Sequence, residues 1–141
     1  MMMSNNETAY ANQWRDLLQQ AIKAMDNAYT PYSHYKVGAA LLTTDGKIYR
    51  GCNIENASYT PSVCAERTAV FKAVSEGDRN FRAIAVATVN GGAPCGVCRQ
   101  VLREFAPNIT VILGDVEGNY EVLTLADLLP HSFGPENLPT A

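Results

Sequence analysis

Apolar positions along this chain change period several times, and each change marks an element. Trp14, Leu17, Leu18, Ala21, Ile22, Met25 and Ala28 recur at helical spacing and predict a long first helix with one apolar face. Ser4 and Glu7 have the spacing of a capping box at its start, and Pro31 forbids its continuation. After a turn at Pro31-Tyr32-Ser33, the apolar runs Val37 to Leu42 and Ile48 to Ile54 flank Asp45-Gly46 and predict a β-hairpin. Residues Cys64 to Glu76 favour helix, with Gly77 placed as its C-terminal cap. Phe81 to Val89 predicts a strand, and its unbroken stretch Ala83-Ile84-Ala85-Val86-Ala87 suits a strand covered on both faces. The loop Asn90 to Pro94 leads into a helix from Gly96 to Phe105, stopped by Pro107. Ile109 to Leu113 and Glu121 to Leu125 predict two strands around the turn Glu117-Gly118-Asn119, with a short helix near Ala126 to Leu129. The order αββαβαββ predicts an α/β fold, a three-layer α/β/α sandwich around a mixed five-stranded sheet.

The length of 141 residues suits one domain spanning 1–141, large enough to bury a core. A net charge of −3, with the eleven Lys and Arg scattered from Arg15 to Arg103, provides no basic stripe for phosphates. The expected partner is therefore a free small molecule and not a nucleic acid. Residues Met1 to Glu7 have neither the basic region nor the apolar run of a secretory signal, and no stretch approaches the roughly 18 apolar residues that span a bilayer. The expectation is a cytoplasmic protein with no membrane association. In that compartment four cysteines, two of them in Cys-x-x-Cys, point to metal or redox chemistry before permanent disulfides.

The chemistry concentrates in Cys64-Ala65-Glu66 and Pro94-Cys95-Gly96-Val97-Cys98. Three soft thiolate ligands suit a zinc ion but leave its shell open, and a carboxylate follows two residues after the first ligand. Cys64 falls at the start of one predicted helix, Cys95 and Cys98 at the start of another, where unpaired N–H groups favour thiolates. Two other readings exist. A thioredoxin-like redox pair needs neither a third cysteine nor a nearby Glu. A closed four-cysteine site would need Cys52, but strand alternation turns Cys52 and Ile54 away from the face that carries Asn53 and Glu55. His34 and His131 lack ligand spacing and read as surface or capping residues.

Cys64-Ala65-Glu66 with Pro94-Cys95-x-x-Cys98 resembles the signature of the zinc-dependent deaminases. Tyr32 to Ala40, Gly51 to Tyr59, Cys64 to Ala69 and Leu128 to Phe133 resemble the small homotetrameric cytidine deaminases, so the likeness runs from about Tyr10 to Phe133. It implies hydrolytic deamination of cytidine and deoxycytidine, with Zn2+ held by Cys64, Cys95 and Cys98 and lowering the pKa of a bound water towards about 7. Glu66 would carry protons from that water to N3 and to the departing amino group. Arg67 would donate hydrogen bonds to the thiolates and offset their charge. Asn53 and Glu55, two apart at a strand end, would grip a ribose hydroxyl, with Ala65 beside them. Tyr35 stands where the family often has a Phe that stacks on the base, and its hydroxyl needs a partner or water. Ala57, Tyr59 and Phe133 resemble residues that reach a neighbouring subunit's site in a homotetramer with shared active sites. The sequence by itself reads Phe133 as core packing.

Overall fold

The computed structural model describes residues 5–139, with side chains from Thr8 onward, so the spacing of Ser4 and Glu7 lies outside the described residues. Helix α1 (Asn5–Ala24) passes into a 3-10 turn, Met25–Asn27, whose carbonyl at Met25 accepts from the Ala28 amide at 3.1 Å. The helix thus ends before Ala28, and Asp26 and Asn27, which compete for backbone hydrogen bonds, sit where it tightens. The remaining elements are β1 (Gly38–Thr43), β2 (Ile48–Cys52), α2 (Ala65–Ser75), β3 (Phe81–Thr88), α3 (Gly96–Phe105), β4 (Thr110–Asp115), β5 (Tyr120–Thr124) and α4 (Leu125–Leu128). Gly77 follows α2 at φ +96, and its amide and that of Asp78 close back onto Val74 and Ala73. Only a residue without a Cβ takes that conformation cheaply.

The five strands form one mixed sheet in the order β2-β1-β3-β4-β5. β3 and β4 are parallel, and the other neighbours are antiparallel. A parallel pair needs a crossover, and α3 supplies it. Alternation along the strands splits the core in two. Ala39, Leu41, Ile84, Val86, Val111 and Leu113 pack with Ala65, Ala69 and Val70 of α2 and Leu102 of α3. Ala40, Leu42, Ala83, Ala85, Ala87 and Ile112 face Leu17, Leu18 and Ala21 of α1. The result is the expected three-layer sandwich. Most strand residues on the α1-facing side are alanines, and that helix lies close: a Cβ on Gly38 would fall 1.9 Å from the Ala21 carbonyl oxygen.

Candidate metal centre and active site

The parallel pair ends where α2 and α3 begin, and the site forms there. Cys64 is the N-cap of α2 and Cys95 the N-cap of α3, while Cys98 lies in the first turn of α3. Neither N-cap side chain caps a backbone amide of its own helix, and both sulfurs turn to one another. The Cys64 and Cys95 Sγ atoms are 3.7 Å apart, and those of Cys95 and Cys98 are 3.4 Å apart. Zn–S bonds of about 2.3 Å in a tetrahedron place sulfurs about 3.8 Å from each other, so the spacing fits zinc. Among the described residues these three are the whole cluster of ligand atoms lying within 4.8 Å of one another. Cys52 is outside it, in a separate cleft with Arg50, Thr68 and Lys72.

Two packing devices hold α2 in place. Gly51 of β2 lies so close that a Cβ would meet the Ala65 carbonyl oxygen and the Ala69 amide, each at 2.5 Å. The Thr68 hydroxyl donates to the Cys52 carbonyl at 3.0 Å. Across the site, Arg99 Nε donates to the Pro94 carbonyl at 2.8 Å and steadies the loop ahead of Cys95.

The electrostatics favour an anion on Cys64. A hydrogen bond from the Cys98 thiol, aided by Arg67, holds the Cys64 thiol down to about 5. Arg67 donates through Nη2 to Cys64 Sγ at 3.3 Å. Cys98 is pushed up, by its bond to Cys64 first and by burial second. Glu66 is only 3% exposed, and burial raises its pKa above the ordinary carboxyl value. Its Oε1 and the Arg67 Nε are buried with no hydrogen-bond partner within the protein. Such orphaned atoms are uncommon in folded proteins and mark where a ligand or water belongs.

Cys64, Cys95 and Glu66 open onto a cavity of about 390 Å³ that Tyr35, Val37, Asn53, Glu55, Thr88 and Gly92 also line. β2 stops at Cys52, so Asn53 and Glu55 stand just beyond the strand, with Ile54 between them in isolated bridges to Tyr29 and Val63. Both already hold the wall opposite. Asn53 accepts from the Val37 amide at 2.9 Å and donates to the Tyr35 carbonyl at 2.8 Å. Glu55 Oε1 accepts from the Tyr32 and Ser33 amides at 3.0 and 3.1 Å, and Oε2 accepts from the Ser33 hydroxyl. These bonds, the Ser33 hydroxyl foremost, hold the Glu55 carboxyl below its usual range. The Tyr35 hydroxyl finds its partner in Asn90 Oδ1, at 2.6 Å.

The other expected site residues lie elsewhere. The Ala65 side chain is fully buried in the core between α2 and the sheet and does not line the cavity. Ala57 and Tyr59 are exposed on the loop before Cys64, with Tyr59 edge-on to Tyr32. Phe133 is 56% exposed, which corrects the core-packing reading: its segment runs over the polar side of α3, outside both core clusters. His34 and His131 are exposed, at φ 57 and 53. The sequence reading missed Thr88 and Asn90. Their position at the C-terminal end of a strand with a parallel neighbour is the available signal, because ligands in open α/β sheets bind beyond those ends.

The zinc-binding region of cytidine and deoxycytidylate deaminases matches residues 11–114. Cytidine deaminase of Sporosarcina psychrophila is 51% identical over 128 residues, 89% of this chain and 94% of that protein. That of Halalkalibacterium halodurans is 51% identical over 125 residues, 86% of this chain and 95% of its own length. The crystal structure of cytidine deaminase from Burkholderia pseudomallei superposes with a TM-score of 0.81 at 46% identity, covering 93% of this chain and all of that one.

Proposed function

The chain belongs to the cytidine and deoxycytidylate deaminase family, and on that premise we infer how its own residues carry the hydrolysis of cytidine or deoxycytidine to the uracil nucleoside and ammonia. It is a zinc enzyme, and we assign the ion to Cys64, Cys95 and Cys98. When bound, the ion supplies Lewis acidity that brings the ionisation of water towards neutral pH. Arg67 offsets the excess negative charge of three thiolates through its bond to Cys64. Glu66 is the proton carrier. It takes a proton from the attacking water, gives one to N3 so that C4 becomes electrophilic, and protonates the amino group as it leaves. Burial, which raises its affinity for protons, suits a group that must hold and release one in each cycle.

Tyr35 forms a wall against the base, and Asn53 and Glu55 meet the ribose. Each of these two must share its hydrogen-bonding capacity with the Tyr32 to Val37 segment, so sugar binding acts directly on the wall that carries Tyr35. We further infer a homotetramer in which Ala57, Tyr59 and Phe133 complete a neighbour's site. What supports this is their exposure away from the chain's own cavity. We place the protein in the cytoplasm, where thiol ligands stay reduced.

The observation that carries this reading is a buried Glu66 carboxyl, its Oε1 without a partner in the protein, beside three converging sulfurs. Its test is Glu66→Gln, which is nearly isosteric but relays no proton. The variant should keep its zinc and its fold yet lose more than tenfold in kcat, a barrier increase above about 1.4 kcal/mol. Loss of the cytidine absorbance and a zinc assay measure both. A variant retaining more than a tenth of the turnover would overturn the assignment.

A further inference from the structure

Phe133 combines two properties that rarely coincide. It is 56% exposed and lines no part of the chain's own cavity, yet the backbone on both sides of it is tied down. Exposed aromatic residues need no explanation by themselves. An exposed aromatic residue on a rigid mount does.

The mount is the polar side of α3. Arg99 Nη1 donates to the Leu128 carbonyl at 2.7 Å, Gln100 Nε2 donates to the Phe133 carbonyl at 2.9 Å, and Arg103 Nε donates to the Ser132 hydroxyl at 2.6 Å. Arg103 also pairs with Glu136. Gly134 is buried against the Arg103 guanidinium, so that a Cβ would fall 2.4 Å from Nη1, although its φ of −148 is open to any residue. Gly134 therefore answers to the space Arg103 occupies and not to backbone strain. Ordering a segment costs chain entropy, and these bonds add nothing to the core. What they accomplish is a fixed position for the backbone that carries the Phe133 ring.

We propose that Gln100 and Arg103 are positioning residues for Phe133 and act on the substrate of a neighbouring copy. This rests on the shared-site reading above. Each α3 then serves two sites: its first turn supplies Cys98 to its own chain, while its next two turns set the ring presented to another. No chemistry passes through Gln100 or Arg103, and their effect appears in substrate binding, hence in KM.

The test is complementation between inactive or weakened variants of the intact protein, mixed under conditions of demonstrated subunit exchange. Gln100→Ala/Arg103→Met should keep its zinc and lose about fivefold or more in kcat/KM, the worth of at least one hydrogen bond, mainly through KM. Mixed with Glu66→Gln it should regain activity, because its intact catalytic sites receive a well-placed Phe133. Mixed with Phe133→Ala it should regain none. Gly134→Ala, which leaves Gln100 and Arg103 in place but crowds the guanidinium, should show the same pattern and serves if the double variant does not fold. Rescue by Phe133→Ala but not by Glu66→Gln would show action on the chain's own site and overturn the proposal, as would an unchanged kcat/KM. Failure of Glu66→Gln to complement Phe133→Ala would instead remove the shared site, and the clamp's role with it.

Discussion

Arg67 shows how one side chain can matter through its charge. Its bond to Cys64 at 3.3 Å places a fixed positive charge against the three-sulfur cluster to which we assign the zinc. Arg67→Ala should therefore lower turnover by more than it lowers zinc content, and the acidic limb of the pH–rate profile should move to higher pH. Arg67→Gln, which keeps a hydrogen-bond donor without the charge, should be milder. An unmoved acidic limb in Arg67→Ala would show that charge compensation is not its role. Cys52 provides the contrast, because a half-buried thiol in a separate cleft has nothing to give the metal. Its raised pKa, caused by burial, also keeps it a neutral thiol.

Among the elements, the contact of β2 with α2 decides the site, since α2 carries Cys64, Glu66 and Arg67 as a unit. Gly51→Ala would drive a methyl into helix backbone at 2.5 Å, where no rotamer change can relieve it. We expect a loss of roughly 2–3 kcal/mol of stability together with weaker zinc retention, measured by thermal unfolding and metal titration. Wild-type zinc affinity in that variant would show that α2 is not held there. The far end of α2 is tied to the same strand by Tyr49, which donates to Asp78, with Lys47 alongside at 3.3 Å. The bond from Tyr49 holds Asp78 below the ordinary carboxyl range, and Asp78 in turn pushes Tyr49 above the ordinary phenol range. The depressed Asp78 contributes stability above its unfolded pKa of about 3.9 and loses it as pH falls through its lower folded value. The raised Tyr49 contributes below its unfolded pKa of about 10 and loses it as pH rises towards its higher folded value. Tyr49→Phe should thus be less stable than wild type at neutral pH, with the gap narrowing at both acidic and alkaline ends. A gap independent of pH would refute the coupling.

For the whole molecule, the question is what covers the open side of the cavity. Tyr59, Phe71, Val97 and Phe133 are each half exposed or more, and the chain carries only 18% charged residues. Both features suit surfaces buried by other copies. Light scattering should give four times the 15.3 kDa of one chain, and dilution to monomer should abolish activity with zinc still bound. A fully active monomer would exclude a shared site.

The elements were legible in the sequence because their signals are local. Helical spacing in α1, the Asp45-Gly46 turn, Gly77 after α2 and the apolar run of β3 each reflect a backbone preference or a face to be buried. The ligand motif was legible for the same reason: Cys95 and Cys98 share the start of one helix, and Glu66 follows Cys64 by two. Tertiary structure alone decided the rest, because it depends on residues distant in the chain. The sequence could state that the Tyr35 hydroxyl needs a partner, but only the fold brings Asn90 to it at 2.6 Å. Spacing could pair Asn53 with Glu55, but not show that both hold Tyr32 to Val37. Phe133 was misread because an aromatic among leucines has the pattern of a core residue. Its exposure follows from where the polar side of α3 carries the C-terminal segment, and a contact between residues 100 and 133 leaves no period in the sequence.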